Sequence, residues 1–123
     1  MATARILIVE DESLIAWDLE QCLTHLGYAV LGLASSGQEA IAKALALRPD
    51  LILLDIRLPG NVDGLEAAAR IRAQLQTVIV YMTAYADEPT VQRALVGDPA
   101  MVMRKPFQIS ELQRVLESAL GNA

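Results

Sequence analysis

At the centre of this 123-residue chain stands one nearly continuous apolar stretch, Leu51-Ile52-Leu53-Leu54-Asp55-Ile56. A run of large apolar residues without polar alternation is typical of a strand buried on both faces, as in a parallel sheet covered by helices. An unpaired carboxylate is costly to bury, so we expect Asp55 at the carboxyl edge of this strand, facing a crevice. Open α/β sheets bind their ligands at that edge, and Asp55 is therefore the first candidate for a functional residue.

Strand-like and helix-like segments alternate along the whole chain. Short apolar stretches predict five strands, at residues 6–9, 28–33, 51–56, 78–82 and 100–103. Helical spacing of apolar residues, with start and stop signals, predicts helices at residues 14–26, 35–48, 63–75, 89–97 and 109–120. Such alternation predicts right-handed βαβ units, and hence an α/β fold with a parallel sheet between two layers of helices. The pattern leaves the strand order open between the doubly wound alternatives.

Length, composition and charge limit the class of protein. A chain of 123 residues has the length of one domain, so we predict a single domain over residues 1–123. Hydrophobic residues make up 54% of the sequence, yet no apolar run approaches the ~20 residues of a membrane span, and the N-terminus does not resemble a signal peptide. With Cys22 as the only cysteine, these features indicate a cytoplasmic protein that does not associate with membranes. The net charge of −5 argues against direct nucleic-acid binding.

Polar side chains follow the carboxyl ends of four predicted strands. Glu10 and Asp11 come after the first strand, Asp55 lies near the end of the third, Thr83 follows the fourth and Lys105 follows the fifth. Because the carboxyl ends of parallel strands meet at one edge of the sheet, we expect these five side chains to converge. Three carboxylates and one ammonium carry a formal charge of about −2, which one divalent cation would neutralise, and ligands that are all oxygens favour Mg²⁺.

This arrangement resembles the receiver domain of two-component response regulators, and it does so across the whole chain. The resemblance is carried by Glu10-Asp11 after Ile-Leu-Ile-Val, Asp55 followed by Leu58-Pro59 and Asp63-Gly64, Met82-Thr83-Ala84, and Lys105-Pro106-Phe107. Each motif is a weak signal alone, but their order and spacing together are highly specific. The resemblance implies a flavodoxin-like (βα)5 fold with strand order 2-1-3-4-5, and an aspartate that is phosphorylated by a histidine kinase.

The resemblance also implies a role for each candidate residue. Asp55 would accept a phosphoryl group from a histidine kinase or a phosphotransfer protein, while Lys105 and Thr83 would bind phosphoryl oxygens. Movement of Thr83 would switch the loop after the fourth strand and the helix that follows. Four groups would hold Mg²⁺, namely the side chains of Glu10, Asp11 and Asp55 and the backbone carbonyl of Arg57. Such a domain catalyses only its own phosphorylation and dephosphorylation, so it is not an enzyme in the usual sense.

Three features depart from the usual pattern of this family. The loop at residues 57–64 is one residue longer than its commonest form. Val102 stands three residues before Lys105, where the family usually has Tyr or Phe, and a valine cannot swing an aromatic ring between core and solvent. We therefore expect Tyr85 either to replace that switching ring or to shield the phosphoryl group. Arg57 and Tyr85 also occupy positions that tune the lifetime of the phosphate in this family.

Two other functions stay open at this point. A phosphatase of the haloacid dehalogenase type also uses an Asp nucleophile and Mg²⁺, but it requires a second Asp where this chain has Arg57. A degenerate receiver would act only as a docking module, and the intact set of five residues argues against that. The sequence does not identify the output, the cognate kinase or the oligomeric state, although a homodimer through the last two helices is one expectation.

Overall fold

Nine regular elements are present in the computed structural model, which describes residues 3–84, 88–89, 92 and 101–121. In chain order they are β1 (Arg5–Val9), α1 (Ser13–His25), β2 (Ala29–Ala34), α2 (Gly37–Leu47), β3 (Leu51–Asp55), α3 (Gly64–Arg72), β4 (Val78–Thr83), β5 (Val102–Arg104) and α4 (Ile109–Ala119). The helix predicted at residues 89–97 lies mostly outside the described residues. Within it, the Gln92 N–H donates to the Glu88 carbonyl at 2.9 Å, the bond expected of a first helical turn.

The strands form one parallel sheet in the order β2-β1-β3-β4-β5. β3 lies in the middle of this sheet, paired with β1 on one side and with β4 on the other. All five residues of β3 are buried, which confirms the prediction of a central strand covered on both faces. The observed strand order confirms the flavodoxin-like arrangement, which the alternation of segments alone had left open.

Helices cover both faces of the sheet and divide the core into two clusters. On one face, α2 and α3 pack on β-strand residues such as Leu7 and Ile52, with Ile71 of α3 fully buried. On the other face, α1 and α4 pack on residues such as Ile8, with Leu116 of α4 fully buried. Burial of each such side chain contributes about 1.5–3 kcal/mol to folding, so the two layers together fix the sheet and its carboxyl edge.

The starts of α2 and α3 agree with their sequence signals. The side chains of Ser36 and Asp63 cap α2 and α3 by accepting from backbone N–H groups three residues ahead, as predicted for Asp63. α3 ends at Arg72 rather than near residue 75, because the Gln74 N–H turns back to the Ile71 carbonyl at 3.0 Å.

In the described part of the chain, none of the helices combines the length and apolar character that crossing a bilayer requires.

One boundary near the site was predicted wrongly. The sequence predicts Thr83 in the loop after the fourth strand, but Thr83 is the last residue of β4. Thr83 is in register with Arg104 of β5, and its carbonyl accepts a hydrogen bond from the Lys105 N–H at 2.8 Å. Pairing with this short edge strand therefore extends β4 by one residue and buries Thr83 completely.

Candidate functional site

The carboxyl edge of the sheet brings Lys105 into contact with two of the predicted carboxylates. Its ammonium nitrogen donates to Glu10 Oε1 at 2.5 Å and to Asp55 Oδ2 at 2.9 Å. The side chain of Glu10 is fully buried, that of Asp55 is 7% exposed, and that of Lys105 is 17% exposed. Three residues that are far apart in the sequence thus form one largely buried ionic cluster, as the ends of parallel strands predicted.

The strands and their backbone bonds orient the two buried carboxylates. The Glu10 N–H donates to the Ala34 carbonyl at 2.9 Å, which holds Glu10 directly beyond β1. Its second carboxylate oxygen accepts from the Glu12 N–H at 3.2 Å, at the start of α1. The second oxygen of Asp55 accepts from the Arg57 N–H, also at 3.2 Å. Every oxygen of these two carboxylates therefore has a donor, which keeps both groups in fixed orientations.

Gly64 explains why the loop after β3 returns so closely to Asp55. A Cβ atom at Gly64 would lie 2.1 Å from the Asp55 carbonyl oxygen and 2.7 Å from the Ile56 Cα atom. The Gly64 N–H also donates to the Ile56 carbonyl at 2.8 Å. Only glycine permits this approach of the first turn of α3 to the backbone behind Asp55. In the sequence Gly64 was only part of a motif, and its packing role is visible in the structure alone.

The charge state of Lys105 follows from its neighbours. Burial lowers the pKa of the Lys105 ammonium, but its hydrogen bonds to Glu10 and Asp55 raise it more, so the pKa lies above its ordinary value. The lysine is therefore a full cation at neutral pH. With Asp11 beside it, the cluster of three carboxylates and one ammonium keeps a charge of about −2.

The acidic residues have the spacing that a small hard cation needs. Glu10, Asp11 and Asp55 each offer a carboxylate oxygen, and these oxygens all lie within 4.8 Å of one another. Opposite ligands of an octahedral Mg²⁺ are about 4.2 Å apart, which is close to this spread. Asp11 is exposed while its two partners are buried, so a cation could reach the site from solvent. The oxygen-only donor set fits Mg²⁺.

The remaining candidates lie around this cluster. The Arg57 side chain forms an ion pair with Glu88, a residue outside the motifs of the sequence. Val102 is partly buried and stands in register with Tyr81, whose hydroxyl accepts from the Arg72 guanidinium at 3.1 Å. Tyr85 lies outside the described residues, so its predicted roles stay predictions. Neither Glu88 nor Tyr81 matches a motif quoted above, and no signal in the sequence pointed to them.

Sequence comparison identifies the class of protein that this fold and site define. The family model described as the response regulator receiver domain matches residues 6–117. The chain therefore belongs to the response regulator receiver family, as its motifs indicated. This result also removes the haloacid dehalogenase alternative, while a docking role without phosphorylation is consistent with the family but not favoured.

Particular relatives support the assignment. The chain is 39% identical to the transcriptional regulatory protein PdtaR of Mycobacterium tuberculosis over 117 residues, which are 95% of this chain and 57% of that protein. It is 40% identical to the phyllosphere-induced regulator PhyR of Methylorubrum extorquens over 124 residues, covering 98% of this chain and 44% of that protein. The chain thus spans about half the length of the curated relatives it matches.

A solved structure bears on the metal. The receiver domain of the sensor histidine kinase PA1611 from Pseudomonas aeruginosa, determined with a magnesium ion coordinated in its active site cleft, matches with a TM-score of 0.84. The two chains are 36% identical, and the match covers 98% of this chain and 99% of that one. Receiver domains bind Mg²⁺ at their acidic site, and this chain has an acidic cluster formed by Glu10, Asp11 and Asp55.

Proposed function

We propose that this chain is the phosphoacceptor domain of a two-component response regulator and that Asp55 accepts the phosphoryl group. The observation that carries the proposal is the geometry of Lys105, whose ammonium bridges Asp55 and the buried Glu10. This arrangement leaves Asp55 as an oriented, charge-compensated carboxylate at the open edge of the sheet. Among the described aspartates it is the only buried one.

The reaction that this site supports is phosphoryl transfer from a phosphohistidine. One Asp55 carboxylate oxygen attacks phosphorus, the P–O bond forms, and the P–N bond to the donor imidazole breaks. The Lys105 ammonium moves from the Asp55 oxygen to a phosphoryl oxygen. This needs little displacement, because the phosphoryl oxygen becomes a neighbour of that Asp55 oxygen. Mg²⁺ held by Glu10, Asp11, Asp55 and the Arg57 carbonyl would supply neutralisation of charge on the phosphoryl oxygens.

The proposed switch begins at Thr83. Its hydroxyl is proposed to bind another phosphoryl oxygen, since β4 lies beside β3 and Asp55 is in register with Met82. The hydrogen bond from the Lys105 N–H to the Thr83 carbonyl joins this residue to the end of β5, so a shift of Thr83 would be felt there. Two positions of Thr83, one for the resting site and one for the phosphorylated site, are enough for signalling. Because Val102 has no ring to move, Tyr85 keeps the role predicted from the sequence, either as the switching ring or as a shield of the phosphoryl group.

The proposed partner is a histidine kinase or a phosphotransfer protein. Leu14 and Trp17 of α1 are 83% and 58% exposed, and α1 begins two residues after Asp11. Large exposed apolar side chains on the helix that follows Asp11 support docking of a protein donor on this helix. The proposal includes a cytoplasmic location, in keeping with the free Cys22, and signalling through protein contacts without direct nucleic-acid binding. Homodimerisation through the last two helices stays a prediction.

Incubation with acetyl phosphate and Mg²⁺, followed by intact-mass measurement, tests the proposal. One phosphate should be added to the wild-type chain and none to Asp55→Asn. Asp63→Asn is the matched control, because asparagine also caps a helix and should leave phosphorylation unchanged. Undiminished phosphorylation of Asp55→Asn would overturn the assignment. A folded wild-type chain that takes up no phosphate would instead favour the docking module.

A further inference from the structure

The ion pair between Arg57 and Glu88 joins the segment that follows β3 to the segment that follows β4. Arg57 follows β3, and its backbone N–H donates to Asp55 Oδ1 at 3.2 Å. Glu88 follows β4, the next strand in the sheet, and its carbonyl accepts the Gln92 N–H of the first helical turn. Arg57 is therefore bonded to Asp55 through its backbone and to Glu88, at the start of the next helix, through its guanidinium.

The phosphorylated site would carry a surplus of negative charge. An aspartyl phosphate brings a charge of about −2 to the place of one carboxylate. Glu10 and Asp11 contribute two more negative charges, against which stand Lys105 and a bound Mg²⁺. A surplus of about one negative charge remains, which one guanidinium would neutralise. Among the described arginines, Arg57 is the one whose backbone is bonded to Asp55.

We propose that Arg57 exchanges partners on phosphorylation, leaving the carboxylate of Glu88 and binding a phosphoryl oxygen on Asp55. This inference rests on the proposed function and adds a residue that senses the phosphoryl group. Guanidinium binds phosphate through paired, charge-assisted hydrogen bonds, and a dianion attracts it more strongly than the single charge of Glu88. The exchange frees Glu88, and with it the helical turn that starts there.

The exposure of the pair makes the exchange feasible. The Arg57 and Glu88 side chains are 54% and 36% exposed, so their mutual attraction is weakened by solvent. A buried pair would hold Arg57 too firmly to be released. The pair thus opposes phosphorylation slightly in the resting state, and its loss should favour the phosphorylated state by the same amount, because the two equilibria are linked.

Binding of beryllofluoride with Mg²⁺, a stable analogue of the phosphoryl group, measures this linkage at equilibrium. Glu88→Gln should raise the affinity for beryllofluoride about two- to fivefold, the range for loss of an exposed ion pair. Arg57→Gln should lower it about tenfold, as expected for a lost charge-assisted hydrogen bond. In the Arg57→Gln background, Glu88→Gln should have no further effect, since its partner is gone. The Arg57 Nε–Hε resonance should shift on binding in the wild-type chain.

Arg70→Gln is the matched control, because Arg70 forms an exposed ion pair with Glu66 within α3, at 2.6 Å. It removes the same charge outside the site and should leave the affinity unchanged. Equal affinities for wild type, Glu88→Gln and Arg57→Gln would overturn the exchange while leaving phosphorylation of Asp55 intact. A Glu88→Gln effect that persists without Arg57 would overturn it as well. A wild-type chain that binds no beryllofluoride and gains no phosphate would overturn the proposed function itself.

Discussion

Lys105 and Glu10 are 95 positions apart in the sequence, and their charged atoms lie 2.5 Å apart. Glu10 is fully buried in its side chain, so its charge depends on this lysine for compensation. Lys105 therefore has a structural task before any phosphoryl group arrives, in addition to the binding role proposed for it. Several of the following predictions separate these two tasks.

Replacing Lys105 by methionine should destabilise the fold. Lys105→Met leaves Glu10 and Asp55 buried without their cation, and breaking a buried ion pair in this way costs about 3 kcal/mol. Added Mg²⁺ should restore part of this loss, because a cation that binds only the folded state stabilises it. Urea unfolding with and without Mg²⁺ measures both effects. Lys43→Met is the control, since the pair of Lys43 with Glu39 is about 40% exposed, and it should cost less than about 1 kcal/mol.

The stability contributed by Lys105 should disappear at high pH. Its pKa in the folded protein lies above the ordinary value of 10.5, so the folded state retains the proton when the unfolded state has lost it. The free energy of unfolding should therefore fall as the pH rises through the folded pKa, while the contribution stays complete below 10.5. The stability difference between wild type and Lys105→Met should shrink over that range. A difference that stays constant with pH would contradict this account.

Binding of Mg²⁺ should depend on Asp11. Asp11→Ala removes one of the three carboxylates, and with it a direct ligand, so the affinity for Mg²⁺ should fall at least about tenfold. Glu12→Ala removes the same charge one residue later, outside the cluster, and should change the affinity much less. Trp17 fluorescence reports the titration because this residue lies on α1, the helix that follows Asp11. Equal affinities in the two variants would place the metal elsewhere.

Adding a methyl group at Gly64 should displace Asp55. The new Cβ of Gly64→Ala would meet backbone atoms of Asp55 and Ile56, which cannot rotate away. We expect a loss of about 1–3 kcal/mol in stability and a slower phosphorylation. Gly32→Ala is the control, because its Cβ would meet only the Leu47 side chain at an ordinary 3.7 Å. Thermal unfolding and acetyl phosphate labelling of both variants provide the measurement.

Much of the fold and of the site could be predicted because both follow from local rules. The unbroken apolar run of β3 required burial on both faces, and the polar residues after each strand had to meet at one edge. Those rules are sufficient to predict that Glu10, Asp55 and Lys105 lie together. They did not fix the order of the strands, which depends on how whole βαβ units pack and came from the family resemblance.

The details that escaped prediction depend on contacts between distant segments. Thr83 was assigned to a loop because its place in β4 is set by pairing with β5, which the local sequence does not encode. The pairing of Arg57 with Glu88 was missed because surface charges have many alternative partners in a sequence. Gly64 was noticed only within its motif, since the backbone it approaches is not encoded near it.

The extra residue in the loop after β3 has a practical consequence. Val62, near the far end of this loop, is buried against the first residue of α2, Gly37. A Cβ atom on Gly37 would lie 2.2 Å from the Val62 carbonyl oxygen, so this end of the loop is anchored. Residues 59–61 between the two anchored ends are exposed, and Gly60 among them has a positive φ of 91°, which favours glycine at that position. A fluorophore attached to a cysteine in place of the exposed Asn61 would leave Gly60 unchanged. The loop thus provides a site for labelling the domain in the segment that follows Asp55.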